Sequence, residues 1–125
     1  MVNIVYIFKN NYGLMDNLSG MFTIYLLCHL KKYNFSYNIS CLKTKINFGK
    51  FLNKKYLNDK PIQNLRNYIC MESQTKLLQE LYFNNIDVDI FVETNLWVTN
   101  TFENIVDKNF IADFVHTESK NLCKF

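Results

Sequence analysis

Seven residues of this chain could contact a ligand, and they fall in two short stretches that each follow an apolar run. They are Tyr12, Gly13, Asp16, Asn17, Glu93, Thr94 and Asn95. Their amides, hydroxyls and carboxylates, together with the indole of Trp97, are the kind of groups that bind a sugar or a nucleotide. Ligands of open parallel sheets bind outside the carboxyl ends of the strands. The sequence therefore predicts a substrate-binding site where the two stretches meet.

Each of these residues also has a structural interpretation. Asp16 or Asn17 can cap the helix that follows, and we expect Asp16 to cap it rather than to contact a sugar hydroxyl. Thr94 and Asn95 are typical turn residues. Glu93 fits a solvated strand end as well as it fits a general base.

Other catalytic chemistries find little support. His29 lies in an apolar helix, where we expect a packed core histidine, and His116 lies near the C-terminal tail. The four cysteines are far apart and form no Cys-x-x-Cys pair, so neither a zinc site nor a redox pair is predicted. Cys28 is expected to pack as a small hydrophobic residue. We assign no catalytic residue and predict neither a metal nor a cofactor.

The elements that would position these residues alternate between strands and helices. Apolar and β-branched runs predict strands at residues 1–8, 35–40, 67–72 and 88–93. Helical spacing predicts helices at 18–30, at 73–82 with Ser73 as N-cap, and once or twice across 101–115. Asn84 and Asn85 can end the second of these, because asparagine tolerates the left-handed C-cap conformation. The pattern is weak from 41 to 65, with one short helix near 48–53, and we expect the tail at 116–125 to be frayed.

This order of elements predicts a single α/β domain over residues 1–125. A strand, a helix and a second strand favour a right-handed crossover and hence parallel pairing. We predict a Rossmann-like, three-layer domain with a mainly parallel sheet of about four strands.

Composition excludes several classes of partner. The net charge of +3 comes almost wholly from lysine, and Arg66 is the only arginine, so we expect no nucleic-acid partner. Abundant lysine and asparagine are typical of an AT-rich genome. The apolar run at 18–30 is shorter than the ~20 residues that a spanning helix needs, and we predict no membrane span. With no signal peptide recognised and cysteines suited to a reducing compartment, we expect a cytoplasmic protein.

The stretch at 12–21 resembles the first loop of fucosyltransferase-like glycosyltransferases, which have two Rossmann-like domains. Gly13, Asp16, Leu18 and Gly20 match the G-x-G-[DN]-[RQ]-L-x-G pattern that leads into an apolar helix in many of these enzymes. Met15 stands where the family has its second glycine. The match covers about a quarter of the chain.

The resemblance implies a function and partners. The chain would correspond to the N-terminal half of such an enzyme, with a nucleotide-sugar or a glycan as its ligand. Fucosyl transfer would need a second Rossmann-like domain or chain, so the chain would be truncated and inactive alone. The alternative is a small α/β interaction or regulatory module without catalytic activity.

Overall fold

Four parallel strands form one sheet in the order β2-β1-β4-β3. The computed structural model describes residues 1–43, 50–59 and 67–123. The strands are β1 (Asn3–Ile7), β2 (Asn34–Asn38), β3 (Tyr68–Met71) and β4 (Ile90–Thr94). Each lies within two or three residues of a predicted strand, and the α/β class with a parallel sheet is confirmed.

The helices follow the predicted order with different ends. They are α1 (Leu14–Lys31), α2 (Gln74–Leu77), α3 (Val98–Phe102) and α4 (Lys108–Leu122). Leu78–Phe83 continues α2 as a π-helical turn, and Lys54–Tyr56 forms a short 3₁₀ turn. Part of the predicted helix at 48–53 and much of the weak stretch before Arg66 lie outside the described residues.

Alternation along the strands gives the sheet two different faces. Tyr6, Tyr37 and Val92 are neighbours on one face, where they join the main hydrophobic core. Helix α1 packs closely on this face. A Cβ added to Gly20 would lie 1.7 Å from the carbonyl oxygen of Thr94, so only glycine permits this approach. Cys70 and Glu93 are neighbours on the opposite face.

Helix α1 begins earlier than predicted. Gly13 is its N-cap residue, so Asp16 lies in the first turn and does not cap the helix, contrary to our expectation. The helix ends at Lys32, which takes a left-handed conformation with φ of 59°. Its backbone N–H donates to the carbonyl of Cys28. Cys28 is buried, as predicted.

Two other predictions about helix ends have opposite outcomes. Ser73 caps α2 as predicted, because its side chain accepts a hydrogen bond from the N–H of Lys76. The helix ends at Asn84 as predicted, but neither Asn84 nor Asn85 is left-handed: the φ of Asn84 is −83°, and its N–H donates to the carbonyl of Gln79. That five-residue spacing is the π-helical pattern.

The C-terminal helix continues beyond its predicted end. Residues 116–122 continue α4, and Leu122 and Cys123 are buried. Cys123 forms an antiparallel bridge with Leu52, and the carbonyl of Leu122 accepts a hydrogen bond from the N–H of Asn53. The prediction of a frayed tail is therefore wrong for residues 116–123.

Candidate functional site

Glu93 is the buried polar group around which the candidate site is built. It lies one residue before the end of β4, on the sheet face opposite α1, beside Cys70 of β3. Only 7% of Glu93 is exposed, and its Oε2 atom has no hydrogen-bond partner among the described residues. An unpaired polar atom is costly to bury, so this oxygen is a natural acceptor for a ligand donor.

Two tyrosines from different elements lie beside this carboxylate. Tyr68 begins β3, and its buried hydroxyl lies close to the Glu93 carboxylate without a hydrogen bond of good geometry within the described residues. Tyr12 comes from the loop between β1 and α1 and interacts with both Glu93 and Cys70. The site therefore joins the first loop to the ends of β3 and β4.

Burial and the carboxylate keep the neighbouring groups protonated. Burial first, and then the charge of Glu93 beside it, raises the pKa of Tyr12. Burial also raises the pKa of Tyr68 first, followed by the Glu93 carboxylate, which acts on the Tyr68 hydroxyl as a hydrogen-bond acceptor and then as a charge. The pKa of the Cys70 thiol is also raised, chiefly by burial and next by Glu93. Both phenols thus remain hydrogen-bond donors at neutral pH. Because the thiolate is the reactive form, Cys70 is not an activated nucleophile.

Charged groups at the rim are of both signs. The ammonium of Lys9 lies 5.3 Å from the centre of the Tyr68 ring, a cation–π contact. Glu72 is exposed directly after β3, and its charge also acts on Tyr12 and Cys70. The two carboxylates, Glu72 and Glu93, make the site a poor place for a phosphate.

Asn17 holds the first loop in place. Its Nδ2 donates to the carbonyls of Lys9, Tyr12 and Gly13 at 3.0–3.3 Å. Its Oδ1 accepts from the N–H of Lys9 at 3.2 Å, and the Tyr6 hydroxyl lies 3.5 Å away. The amide is fully engaged with the chain itself, so Asn17 positions Tyr12 rather than facing a ligand.

Thr94 is likewise engaged within the fold. Its hydroxyl donates to the carbonyl of Met71 at 2.7 Å and accepts from the N–H of Leu96. The Tyr6 hydroxyl donates to its carbonyl at 2.7 Å. Thr94 therefore ties the end of β4 to β3 and β1.

The remaining predicted site residues lie near the surface. Gly13 and Asn95 are exposed, and Asp16 is partly exposed. A Cβ on Gly13 would meet nothing within 4 Å, and its φ of −66° is accessible to any residue. The backbone conformation at position 13 therefore does not require glycine. Of the seven predicted residues, the partly buried Tyr12 and the buried Glu93 come together.

Tyr68 and Cys70 were not among the predicted site residues. Strand alternation provides the signal that would have found them, because residues 68, 70 and 72 share a face and end beside Glu93 once β3 and β4 pair. What the sequence did not provide was the strand order that makes β3 and β4 neighbours.

Two further features of the described residues concern metal binding and membrane crossing. In the described ranges, no three His, Cys, Asp or Glu side chains are grouped so that they could hold a metal ion. None of the helices in that part of the chain is long and apolar enough to cross a membrane.

Comparison with protein-family models, with curated proteins and with solved structures gives no match. The glycosyltransferase resemblance therefore stays a prediction.

Proposed function

We propose that this chain is a carbohydrate-binding α/β domain, similar to the N-terminal half of a fucosyltransferase-like glycosyltransferase, that binds a glycan beside Glu93. The observation that carries the proposal is the buried Oε2 of Glu93, which makes no well-formed hydrogen bond among the described residues, beside the Tyr68 hydroxyl that interacts with the same carboxylate. A carboxylate accepts hydrogen bonds from neighbouring sugar hydroxyls, and a phenol can donate or accept one. A bound sugar would satisfy both groups.

Charge supports a glycan over a nucleotide diphosphate. The carboxylates of Glu72 and Glu93 would repel phosphate oxygens but strengthen hydrogen bonds from uncharged hydroxyls. The rings of Tyr12 and Tyr68 add apolar surface on which the C–H groups of a sugar can pack. In fucosyl transfer from a nucleotide-sugar, a second Rossmann-like domain or chain would hold the nucleotide, and this domain alone would be inactive.

The test is a thermal-shift and NMR titration with a panel of neutral oligosaccharides and with GDP-sugars. A ligand at 100 times its Kd stabilises the fold by about 2.7 kcal/mol, which raises Tm by roughly 10 °C for a domain of this size. We expect Glu93→Gln to remove the Tm shift, because a neutral amide replaces the charged carboxylate acceptor. Glu103→Gln, an exposed change at the end of α3, should leave it unchanged.

Three outcomes would contradict the proposal. The first is that no oligosaccharide shifts Tm, and the second is a shift of equal size in Glu93→Gln. The third is sugar transfer by the purified chain alone, which would contradict the half-enzyme interpretation. Tighter binding of a GDP-sugar than of any glycan would reverse the assignment of the site to the acceptor.

A small interaction module is the alternative function. The exposed apolar side chains of Leu14, Met15 and Trp97 favour it. They follow the first loop and β4, and so lie at the end of the sheet where the candidate site is found. Exposed apolar surface of this kind is typical of protein-binding sites. Under this alternative no sugar raises Tm, and Gly13→Ala and Asp16→Ala change stability only.

A further inference from the structure

A cavity of about 260 Å³ lies at the C-terminal end of α1. Tyr25, His29, Tyr33, Phe35 and Tyr56 contribute rings to its lining. Helix α1 has 18 residues, so its two ends are about 27 Å apart at 1.5 Å per residue. The candidate glycan site adjoins the opposite end of this helix. The cavity is therefore a separate place on the molecule.

Aromatic rings packed against one another form the walls of this cavity. The ring centres of Tyr25 and Phe35 are 5.0 Å apart, and those of Tyr25 and Tyr56 are 5.9 Å apart, with interplanar angles of 82° and 80°. The face of an aromatic ring carries partial negative charge and attracts cations. Lys55 already uses this property, because its ammonium lies 5.5 Å from the centre of the Tyr56 ring.

A carboxylate also lies near the cavity, beyond the residues that line it. The Tyr25 hydroxyl donates to Oε2 of Glu118 at 2.8 Å, which holds this carboxylate of α4 at the hydroxyl end of the Tyr25 side chain. Burial raises the pKa of Tyr25, and hydrogen bonds to Tyr56 and Glu118 add to the effect, so the phenol keeps its proton. The C-terminal end of α1 adds the partial negative charge of the helix dipole.

We propose that this cavity binds a small organic ammonium ion, of the quaternary or methylated type. The rings would contact its methyl groups, while Glu118 and the helix end would balance its charge. The volume is below the roughly 300–1,000 Å³ of pockets for drug-sized ligands, so the ligand is small. A neutral molecule of the same shape would bury the same surface but gain no electrostatic stabilisation. This inference does not depend on the proposed glycan site.

The experiment compares choline with its uncharged carbon analogue, 3,3-dimethylbutan-1-ol, by NMR titration of the full chain. We expect choline to bind at least about fivefold more tightly than the analogue, because only choline carries the charge. Glu118→Gln should weaken choline binding and leave the analogue unchanged. Phe83→Leu, a change to an exposed ring of the π-helical turn, is the matched control.

Lys55→Gln gives a result that a merely structural role would not produce. Lys55 is exposed, so its loss should not unfold the chain. We expect it to strengthen choline binding about twofold or more, because a cation that competes for the Tyr56 ring is removed. Equal binding of choline and the analogue would overturn the proposal. So would the absence of choline binding at about 10 mM, or choline affinity unaffected by both Glu118→Gln and Lys55→Gln.

Discussion

Gly20→Ala should be among the most destabilising single-methyl changes in this protein. The added Cβ would lie 1.7 Å from the carbonyl oxygen of Thr94 and 2.5 Å from the hydroxyl of Tyr6. Ordinary contact begins near 3.4 Å, so α1 and β4 would have to separate by about 1.7 Å. The backbone of β4 cannot turn aside as a flexible side chain would.

Three contributions determine how far the free energy of unfolding of Gly20→Ala should fall. Overpacking a core costs about 1–3 kcal/mol. The methyl would also displace the Tyr6 hydroxyl, which breaks its buried hydrogen bond to Thr94 and leaves partners unsatisfied, at about 1–3 kcal/mol. Alanine recovers about 1 kcal/mol of helix propensity. The free energy of unfolding should therefore fall by about 3 kcal/mol, a large part of the 5–15 kcal/mol typical of a domain.

Urea denaturation followed by circular dichroism measures this loss, and Gly13→Ala provides the control. Gly13 has open space around it and an ordinary φ, so its replacement should change stability by less than about 1 kcal/mol, because the lower entropy of the unfolded chain is offset by the poorer N-cap that alanine makes. If the free energy of unfolding of Gly20→Ala lies within about 1 kcal/mol of the wild-type value at an unchanged m-value, α1 does not approach β4 as closely as described.

Three further predictions concern single side chains. Asn17→Ala should lower the free energy of unfolding by about 2–4 kcal/mol in urea denaturation, because several loop groups lose their partner; a loss below about 1 kcal/mol would contradict its role in the loop. Iodoacetamide at pH 8 should alkylate Cys70 more slowly than a free thiol, because its pKa is raised, and Glu93→Gln should speed the reaction relative to Cys41, since both thiols are exposed but only Cys70 lies beside Glu93. Equal alkylation rates of Cys70 in the wild type and in Glu93→Gln would show that Glu93 does not influence Cys70. Burial raises the pKa of Tyr37 to about 12, so the unfolded chain loses its proton first and stability should fall as pH rises above about 10. Tyr37→Phe should flatten that decline in urea midpoints measured from pH 9 to 11, and an identical slope would refute it.

The strands were the part of the fold that the sequence predicted best. Three are short runs of apolar residues between polar segments, and β2 alternates aromatic with polar residues, so residue type and length agree. The helix start was wrong for a specific reason. Asn17 has the type of an N-cap, but its amide closes the preceding loop through tertiary contacts, and Gly13 takes the cap position. Residue preference alone cannot distinguish these two uses of an asparagine.

The C-terminal helix and the candidate site depend on contacts between distant segments. Residues 116–122 are polar enough to suggest a frayed tail, and they stay helical because Leu122 and Cys123 dock against residues 52 and 53. Glu93 and Tyr12 could be named from the sequence as polar residues after strands. Their neighbours Tyr68 and Cys70 could not, because they join the site only through the pairing of β3 with β4.

The strand order has a consequence for how the chain is made. Strand β1 is complete on one side once β2 has paired with it, but its other side waits for β4, which begins at Ile90. At a translation rate of 5–20 residues per second, roughly 4–17 s pass between synthesis of the end of β1 and synthesis of the start of β4. Until then, β1 keeps an unpaired edge of apolar residues, the kind of template on which chains associate wrongly. Premature termination before β4 should therefore yield aggregates rather than a smaller folded unit.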